Sequence, residues 1–183
     1  MLTNKIELVR EQIYWSYANL AMAHTAVEKR QEKYSQFNYM IRSKLFKGLR
    51  DGTMKMRTIF DDEKIKIQTG LACNYCGSSK HLALDHIYPR QYGEKDNAEN
   101  LICACRSCNS SKGKMDLMEW MELRGSFLPL MVIRRYLKMT FNYCLDNDLI
   151  DMKIEELTKK ELPFRIDLLP INYPSPNNLI LSV

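Results

Sequence analysis

The sequence predicts an α+β protein in which a small strand–strand–helix core is clamped by four cysteines and surrounded by mainly α-helical N- and C-terminal extensions. Three observations predict this architecture. Apolar residues recur every three or four positions near the N-terminus, short apolar alternation and paired cysteines replace them from residue 71, and helical spacing returns after Gly113. We therefore expect three regions, at residues 1–70, 71–114 and 115–183.

The N-terminal region carries one helical stripe. Ile6, Val9, Ile13 and Tyr17 begin it, and it continues to Val27 and resumes over residues 34–45 before Gly48. A stripe of this length must be buried, either on the rest of the chain or on a second copy. Both partners remain open at this point, and burial on a second copy predicts a homodimer. Residues 53–69 read as a further, less regular helix.

The C-terminal region repeats the helical spacing. Residues 115–123 and 127–145 are predicted to be helices, with Gly125 and Pro129 between them. The tail from Leu162 contains four prolines but also many apolar residues, so we expect it to be extended and docked on the body.

The charge distribution suggests one basic face. The net charge is +5, but residues 1–58 carry 11 Lys/Arg against 5 acidic residues, mostly between Lys29 and Arg57. This segment either binds phosphate or is an ordinary solvated helix surface. Because no apolar run approaches the roughly 18 residues that span a bilayer and no signal peptide is evident, we expect a cytoplasmic protein with no membrane partner.

The cysteines predict a structural zinc site. Four of the six form two Cys-x-x-Cys pairs, Cys73/Cys76 and Cys105/Cys108. Each pair places two thiolates on one turn, where both reach an ion at about 2.3 Å, and four thiolates leave a zinc ion no open position. Cys103 and Cys144 are expected to be buried structural thiols.

The segment between the pairs predicts a hairpin followed by a helix. Leu82 to Asp85 alternate as on a strand that Pro89 ends, residues 101–104 can return as a second strand, and residues 106–112 form a short helix ended by Gly113.

This order of motifs resembles a known family. Cys-x-x-Cys, Asp85-His86, Pro89, Asn100-Leu101, Cys-x-x-Cys-Asn109 and Lys112-Gly113 are similar to the zinc-stapled, four-cysteine branch of the HNH, or ββα-metal, endonucleases. The resemblance covers about a quarter of the chain, residues 71–114.

The resemblance implies a catalytic site. His86 is expected to be the general base that activates water, while Asp85 and Asn109 hold one Mg²⁺ or Mn²⁺ ion. Asn100 is expected to brace the hairpin loop and so to orient the histidine. DNA is the implied substrate, cut to 5′-phosphate and 3′-hydroxyl ends, in restriction or phage defence. A non-catalytic zinc module that binds nucleic acid or protein, and a nuclease of structured RNA, are the alternatives.

Other polar and aromatic residues have simpler interpretations. Arg90, Arg106, Lys112 and Lys114 lie close in sequence to the site and are predicted to contact phosphate. By contrast, His24, His81, Trp15 and Trp120 are expected to belong to the core or the surface and not to a functional site.

Overall fold

The computed structural model describes residues 6–56, 71–89, 99–157 and 161–182. Within these ranges the chain forms six α-helices and one two-stranded sheet. In chain order they are α1 (Val9–Glu28), α2 (Gln36–Arg50), β1 (Leu82–His86), β2 (Leu101–Cys105), α3 (Arg106–Lys112), α4 (Leu117–Arg124), α5 (Leu130–Asp146) and α6 (Ile154–Leu157). Single turns of 3₁₀-helix follow at Ile166–Leu168 and Pro176–Asn178.

The predicted strand–strand–helix core is confirmed. β1 and β2 pair antiparallel, from Leu82 opposite Cys105 to His86 opposite Leu101. α3 starts directly after β2, and Gly113 ends it with a φ of 55°, a left-handed value that glycine tolerates best. Because the helix follows the strand without a loop, its side chains are held against the end of the hairpin.

The α1 stripe is buried inside the chain. Val9, Ile13 and Tyr17 belong to the main hydrophobic core, and α1 packs against α2 on one side and α5 on another. The helix begins at Val9, not at Ile6, because Leu8 forms an isolated bridge with Lys153. The stripe therefore has partners within the chain, and the homodimer expected from it is not supported.

The C-terminal helices follow the predicted order. Asp116 caps α4, since its side chain accepts hydrogen bonds from the backbone N–H groups of Met118 and Glu119, and Gly125 ends the helix with a φ of 63°. α5 begins at Leu130, after Pro129, three residues later than the periodicity suggested. The pyrrolidine ring fixes the entry into the helix without losing an internal hydrogen bond.

The tail is docked on the helices, as expected. The carbonyl of Ile171 accepts from Nε1 of Trp15 and Nδ2 of Asn19, both at 3.1 Å. The backbone N–H of Leu130 donates to the carbonyl of Ile180 at 2.9 Å. These bonds tie the tail to the middle of α1 and to the start of α5.

The main core draws on all three predicted regions. Leu49, Cys73, Ile87, Leu137 and Leu169 belong to one buried cluster. The boundaries near residues 70 and 114 therefore remain predictions. The helix predicted over 53–69 lies outside the described residues from 57 onward, and residues 53–56 are not helical. Among the described helices, none has the length and apolar character needed to cross a membrane.

Candidate active site and metal centre

The four paired cysteines converge at one end of the hairpin. Their sulfur atoms all lie within 4.8 Å of one another, and Sγ of Cys76 is 3.7 Å from Sγ of Cys105. Four sulfurs bound to one tetrahedral zinc ion at about 2.3 Å are about 3.8 Å apart, so the spacing fits such an ion. Four thiolates form a closed, purely structural site with no position for substrate. The donor set thus fits the predicted zinc.

Backbone hydrogen bonds shape both cysteine turns. The carbonyl of Cys73 accepts from the N–H of Gly77 at 2.8 Å, and the N–H of Asn74 donates to the carbonyl of Cys103 at 2.8 Å. The first turn is therefore attached to β2, which leads into the second. The N–H of Cys108 donates to Sγ of Cys105 and is the largest cause that lowers the pKa of this thiol to about 7. A lowered thiol pKa favours the thiolate that zinc requires.

The other two cysteines differ in burial. Cys144, on α5, is fully buried, as predicted, and burial raises the pKa of its thiol to about 12. Cys103 is only half-buried on β2. The thiol of Cys103 was expected to be buried, but it lies opposite the exposed Leu84 in the sheet, so its face is open to solvent.

Asp85 is a buried carboxylate held by three donors. Oδ2 accepts from the hydroxyl of Tyr75 at 2.9 Å, while Oδ1 accepts from the backbone N–H of His86 at 2.8 Å and lies 3.4 Å from Nζ of Lys112. Burial, followed by the neighbouring Asp85 charge, raises the pKa of the Tyr75 hydroxyl well above its usual value, which keeps it a donor. The orientation of the carboxylate is therefore fixed before any ligand binds.

Lys112 contributes a buried ammonium at the same point. Only 1% of the residue is exposed, and Nζ donates to the backbone carbonyl of His86 at 2.6 Å besides facing Asp85. We predicted that this lysine contacts phosphate. It lies at the wall of the cavity described below, but its charge is directed at the carboxylate. The contact of Lys112 with phosphate stays a prediction, and the observed charged partner of the lysine is Asp85.

Asn100 braces the backbone just beyond His86. It is fully buried; Oδ1 accepts from the N–H of Tyr88 at 2.7 Å, and Nδ2 donates to the carbonyl of Tyr88 at 3.3 Å. The N–H of Ile87 donates to the carbonyl of Asn100 at 2.8 Å. These three bonds close the hairpin immediately after the histidine, and the role of Asn100 in orienting that histidine stays a prediction.

One open cavity brings the predicted residues together. It has a volume of about 420 Å³ and is lined by Asp85, His86, Pro89, Asn109, Lys112, Gly113 and Lys114. We call it the site cavity. An imidazole, a carboxylate and an amide thus face one space. Carboxylate and amide oxygens are ligands that Mg²⁺ and Mn²⁺ accept, so Asp85 and Asn109 fit the predicted divalent cation.

The other basic residues predicted to contact phosphate differ in their position relative to the site cavity. Lys114 lines the site cavity and is exposed, whereas Arg106 is exposed at the start of α3 but is not among the lining residues. Arg90 lies outside the described residues. His24 is half-buried on α1 and His81 is exposed before β1.

Tyr75 is the site residue that sequence reasoning missed. It lies between the two cysteines of the first pair, and its hydroxyl reaches Asp85 only because the hairpin folds back on that turn. No spacing in the sequence predicts this contact. The position of Lys112 did carry a signal: it follows Asn109 by three residues, and residues at that spacing share one face of a helix.

The chain is similar to known nucleases over this region. The family model for the HNH endonuclease matches residues 73–115. A CRISPR-associated endonuclease Cas9 of Corynebacterium diphtheriae is 28% identical over 91 residues, which cover 48% of this chain and 8% of that protein. The similarity therefore concerns a small part of that relative. No solved structure matches the chain significantly.

Proposed function

We propose that the protein is a metal-dependent DNA endonuclease with His86 as general base, on the premise that residues 73–115 match the family model for the HNH endonuclease. The observation that carries the proposal is the shared lining of the site cavity by Asp85, His86 and Asn109. A purely structural zinc module has no need for an imidazole, a carboxylate and an amide around one open space.

His86 is assigned the proton transfer. Hydrolysis of a phosphodiester requires a water molecule that loses a proton as it attacks, and imidazole is the side chain suited to accept a proton near neutral pH. The backbone of His86 is fixed on both sides: its N–H donates to Asp85 and its carbonyl accepts from Lys112. The base is thereby held on a rigid strand, which lowers the entropic cost of reaching a reactive geometry.

Asp85 and Asn109 are assigned the divalent cation. When bound there, Mg²⁺ or Mn²⁺ supplies a positive charge that stabilises the phosphate and the leaving 3′ oxygen. Tyr75 and the N–H of His86 already orient the Asp85 carboxylate, so the ligand needs little rearrangement. Lys112 balances the negative charge of Asp85 from within the protein.

The substrate and setting complete the proposal. Exposed Arg106 and Lys114 are assigned phosphate contacts. One such site cuts one strand, so a double-strand break requires two sites or two binding events. We propose a role in restriction or phage defence and a location in the cytoplasm. Incubation with modified and unmodified DNA, followed by sequencing of the cut ends, tests the role in restriction or defence.

The direct test is plasmid cleavage with Mg²⁺ by the full chain and by His86→Ala. Loss of a general base predicts a fall in rate of about 100-fold or more. His81→Asn is the matched control, since His81 is exposed at the entry to the same hairpin and its φ of 50° suits asparagine. Equal zinc content in all three proteins shows that the clamp is intact. Undiminished cutting by His86→Ala contradicts the mechanism.

The test also separates the alternatives. A non-catalytic module leaves plasmid DNA and structured RNA intact in the presence of Mg²⁺ while still binding one of them. A nuclease of structured RNA cuts that substrate faster than DNA and loses this activity in His86→Ala. Either result replaces the DNA endonuclease assignment.

A further inference from the structure

The second helix presents a positively charged surface far in sequence from the site cavity. α2 contains no acidic residue over its 15 positions, and its exposed side chains include Lys44, Lys47 and Arg50. We call these three cations, with the exposed Phe37 and Tyr39, the basic face of α2. Arg50 lies 3.7 Å from Asp51, the acidic residue that follows the helix.

The opposite side of α2 is the one that packs on the protein. Asn38 and Leu49 are buried there, while the basic face points away. Among the described elements, α2 packs extensively only against α1. Within the described residues, the three cations of the basic face are exposed, whereas its two aromatic rings contact neighbouring side chains.

Aromatic rings hold the neighbouring cations in place. Nζ of Lys29 lies 4.7 Å from the ring centre of Phe37, and the guanidinium of Arg42 lies 4.8 Å from Trp15 and 5.0 Å from Tyr39. Such contacts reduce the side-chain entropy that a long cation loses when it binds a partner. Phe37 and Tyr39 remain 49% and 43% exposed. Lys29 is exposed as well, whereas Arg42 is half-buried and donates to Oδ1 of Asn19 at 3.2 Å.

We propose that the basic face of α2 binds the phosphate backbone of duplex DNA and holds the substrate for the site cavity. This inference rests on the proposed function and extends it to a second, remote contact surface. A phosphate backbone is complementary to a helix that carries only positive charge. A second copy of the chain is the less suitable occupant, since a two-fold interface on this face would bring Lys44, Lys47 and Arg50 against their own copies.

A remote surface of this kind contributes affinity but not sequence reading. Contacts to phosphate fix the orientation of a duplex and depend strongly on salt, since each neutralised phosphate releases counterions. Binding energy gained equally before and during the reaction lowers the DNA concentration needed without changing the rate at saturation. The basic face of α2 should therefore affect KM and not kcat.

The experiment compares two triple variants with equal net charge. Lys44→Gln/Lys47→Gln/Arg50→Gln removes the basic face, and Arg10→Gln/Lys153→Gln/Arg165→Gln removes three exposed cations elsewhere. Both are built on full-length His86→Ala, and fluorescence anisotropy with a labelled 30-bp duplex measures affinity between 50 and 300 mM salt, in roughly the range where screening changes most. Melting curves and zinc content verify the fold of each.

The basic-face variant is expected to lose affinity by about tenfold or more at low salt, with a salt slope shallower by about two to three. The matched control is expected to change less than about twofold. With His86 restored, the basic-face variant is expected to raise KM while kcat stays within about twofold.

Three outcomes overturn the inference. Equal losses in both variants indicate a general charge effect, and unchanged binding in the basic-face variant removes the surface from DNA recognition. A sedimentation shift from dimer to monomer in that variant, with DNA binding unchanged, identifies the face as an interface between copies. Wild-type cleavage distinguishes these results from failure of the proposed function: a wild type that cuts DNA while the variant binds normally refutes only the inference, and a wild type that neither binds nor cuts refutes both.

Discussion

Two buried carboxylates accept a hydrogen bond from a tyrosine hydroxyl, and their surroundings differ. Oδ2 of Asp85 accepts from Tyr75 at 2.9 Å in the hairpin, and Oδ2 of Asp116 accepts from Tyr136 at 2.6 Å between α4 and α5. Asp85 lines the open site cavity and faces Lys112. Asp116 uses its other oxygen to cap α4 and lies outside that cavity.

The difference supports the proposed metal-binding role of Asp85 and a structural role for Asp116. Burial is similar for the two residues, with 5% of Asp85 and 8% of Asp116 exposed. What distinguishes Asp85 is that it lines an open cavity together with a second polar residue, Asn109. The regions around them share one apolar core, and the hairpin differs from the helices in also carrying the cluster of four cysteines.

Removal of zinc should have the largest effect, and only on one region. Metal binding to a four-thiolate site of this kind contributes about 10 kcal/mol or more to folding of the segment it closes. We expect a chelator, or Cys105→Ser, to abolish cleavage and to expose the backbone amides of residues 73–88 and 101–112 to hydrogen exchange. The amides of α1 should stay protected, because α1 packs mainly against α2 and α5 and not against the hairpin.

Exchange data by mass spectrometry decide this case. Uniform loss of protection in hairpin and helices would show that the zinc site supports the whole fold, which would remove the regional contrast. Cys103→Ser is the matched control, since Cys103 lies on β2 but outside the four-thiolate set.

Asp85→Asn should have the next largest effect, on activity. The amide oxygen still accepts from Tyr75, but the variant loses the anionic metal ligand. Cleavage of plasmid DNA with Mg²⁺ should fall by about 100-fold or more, which corresponds to roughly 2.7 kcal/mol of transition-state stabilisation. Asp116→Asn is the matched control, because it makes the same substitution at a buried carboxylate that does not line the site cavity. This control should cut DNA at the wild-type rate. Equal activities in the two variants would erase the distinction between the carboxylates.

Asp116→Ala should mainly affect stability. The variant loses the cap of α4 and leaves the Tyr136 hydroxyl without its acceptor, which together cost about 2–3 kcal/mol. Urea unfolding measures this loss, and cleavage well below the midpoint should be unchanged. A fall in activity without a fall in stability would place Asp116 in the catalytic machinery.

The same residue predicts a pH dependence of stability. Burial is the main cause that raises the pKa of Asp116. The folded state therefore favours the protonated form, and its contribution to stability is complete below the unfolded pKa of about 3.9. This contribution is lost as the pH rises through the raised folded value. The free energy of unfolding of the wild type, relative to Asp116→Asn, should fall from pH 4 upward; a constant difference would contradict the assigned burial cost.

Removal of the two tyrosine hydroxyls should have the smallest effects. Tyr75→Phe and Tyr136→Phe each lose one hydrogen bond to a buried carboxylate, worth about 1–2 kcal/mol of stability. Tyr136→Phe also leaves the backbone N–H of Arg165 without the hydroxyl that accepts from it at 3.0 Å. Only Tyr75→Phe should also slow cleavage, by about threefold to tenfold, because the metal ligand is then less firmly oriented. Steady-state cleavage at several Mg²⁺ concentrations should show a higher metal requirement in Tyr75→Phe alone. A higher metal requirement in Tyr136→Phe as well would make the effect nonspecific.

The hairpin could be predicted from sequence because its signals are local. The cysteine spacing, the alternation from Leu82 and the position of Gly113 each depend on neighbouring residues, and α3 has the predicted bounds of residues 106–112. The helices were predicted from periodicity, but the surfaces that they pack against were not. The apolar stripe of α1 was equally compatible with a second copy of the chain and with the rest of its own chain. Helical spacing states which face is apolar and does not state what covers it.

Long-range polar contacts were beyond prediction for the same reason. Lys112 is predicted to contact phosphate because it is a cation near the site motif, but the contact of its ammonium with Asp85 across the closed hairpin was not predicted. The pairing of Tyr136 with Asp116 joins residues 20 positions apart and has no repeating pattern. Such contacts depend on the packing of complete elements, which residue spacing does not encode.

Chemical rescue tests the central assignment most directly. His86→Ala with intact zinc is incubated with plasmid DNA and Mg²⁺, with and without added imidazole, beside Asp85→Asn treated in the same way. We predict that imidazole restores part of the cleavage in His86→Ala and none in Asp85→Asn, because only the first variant lacks a base in a site that still binds the cation. Cleavage at the wild-type rate by His86→Ala without imidazole would contradict the account.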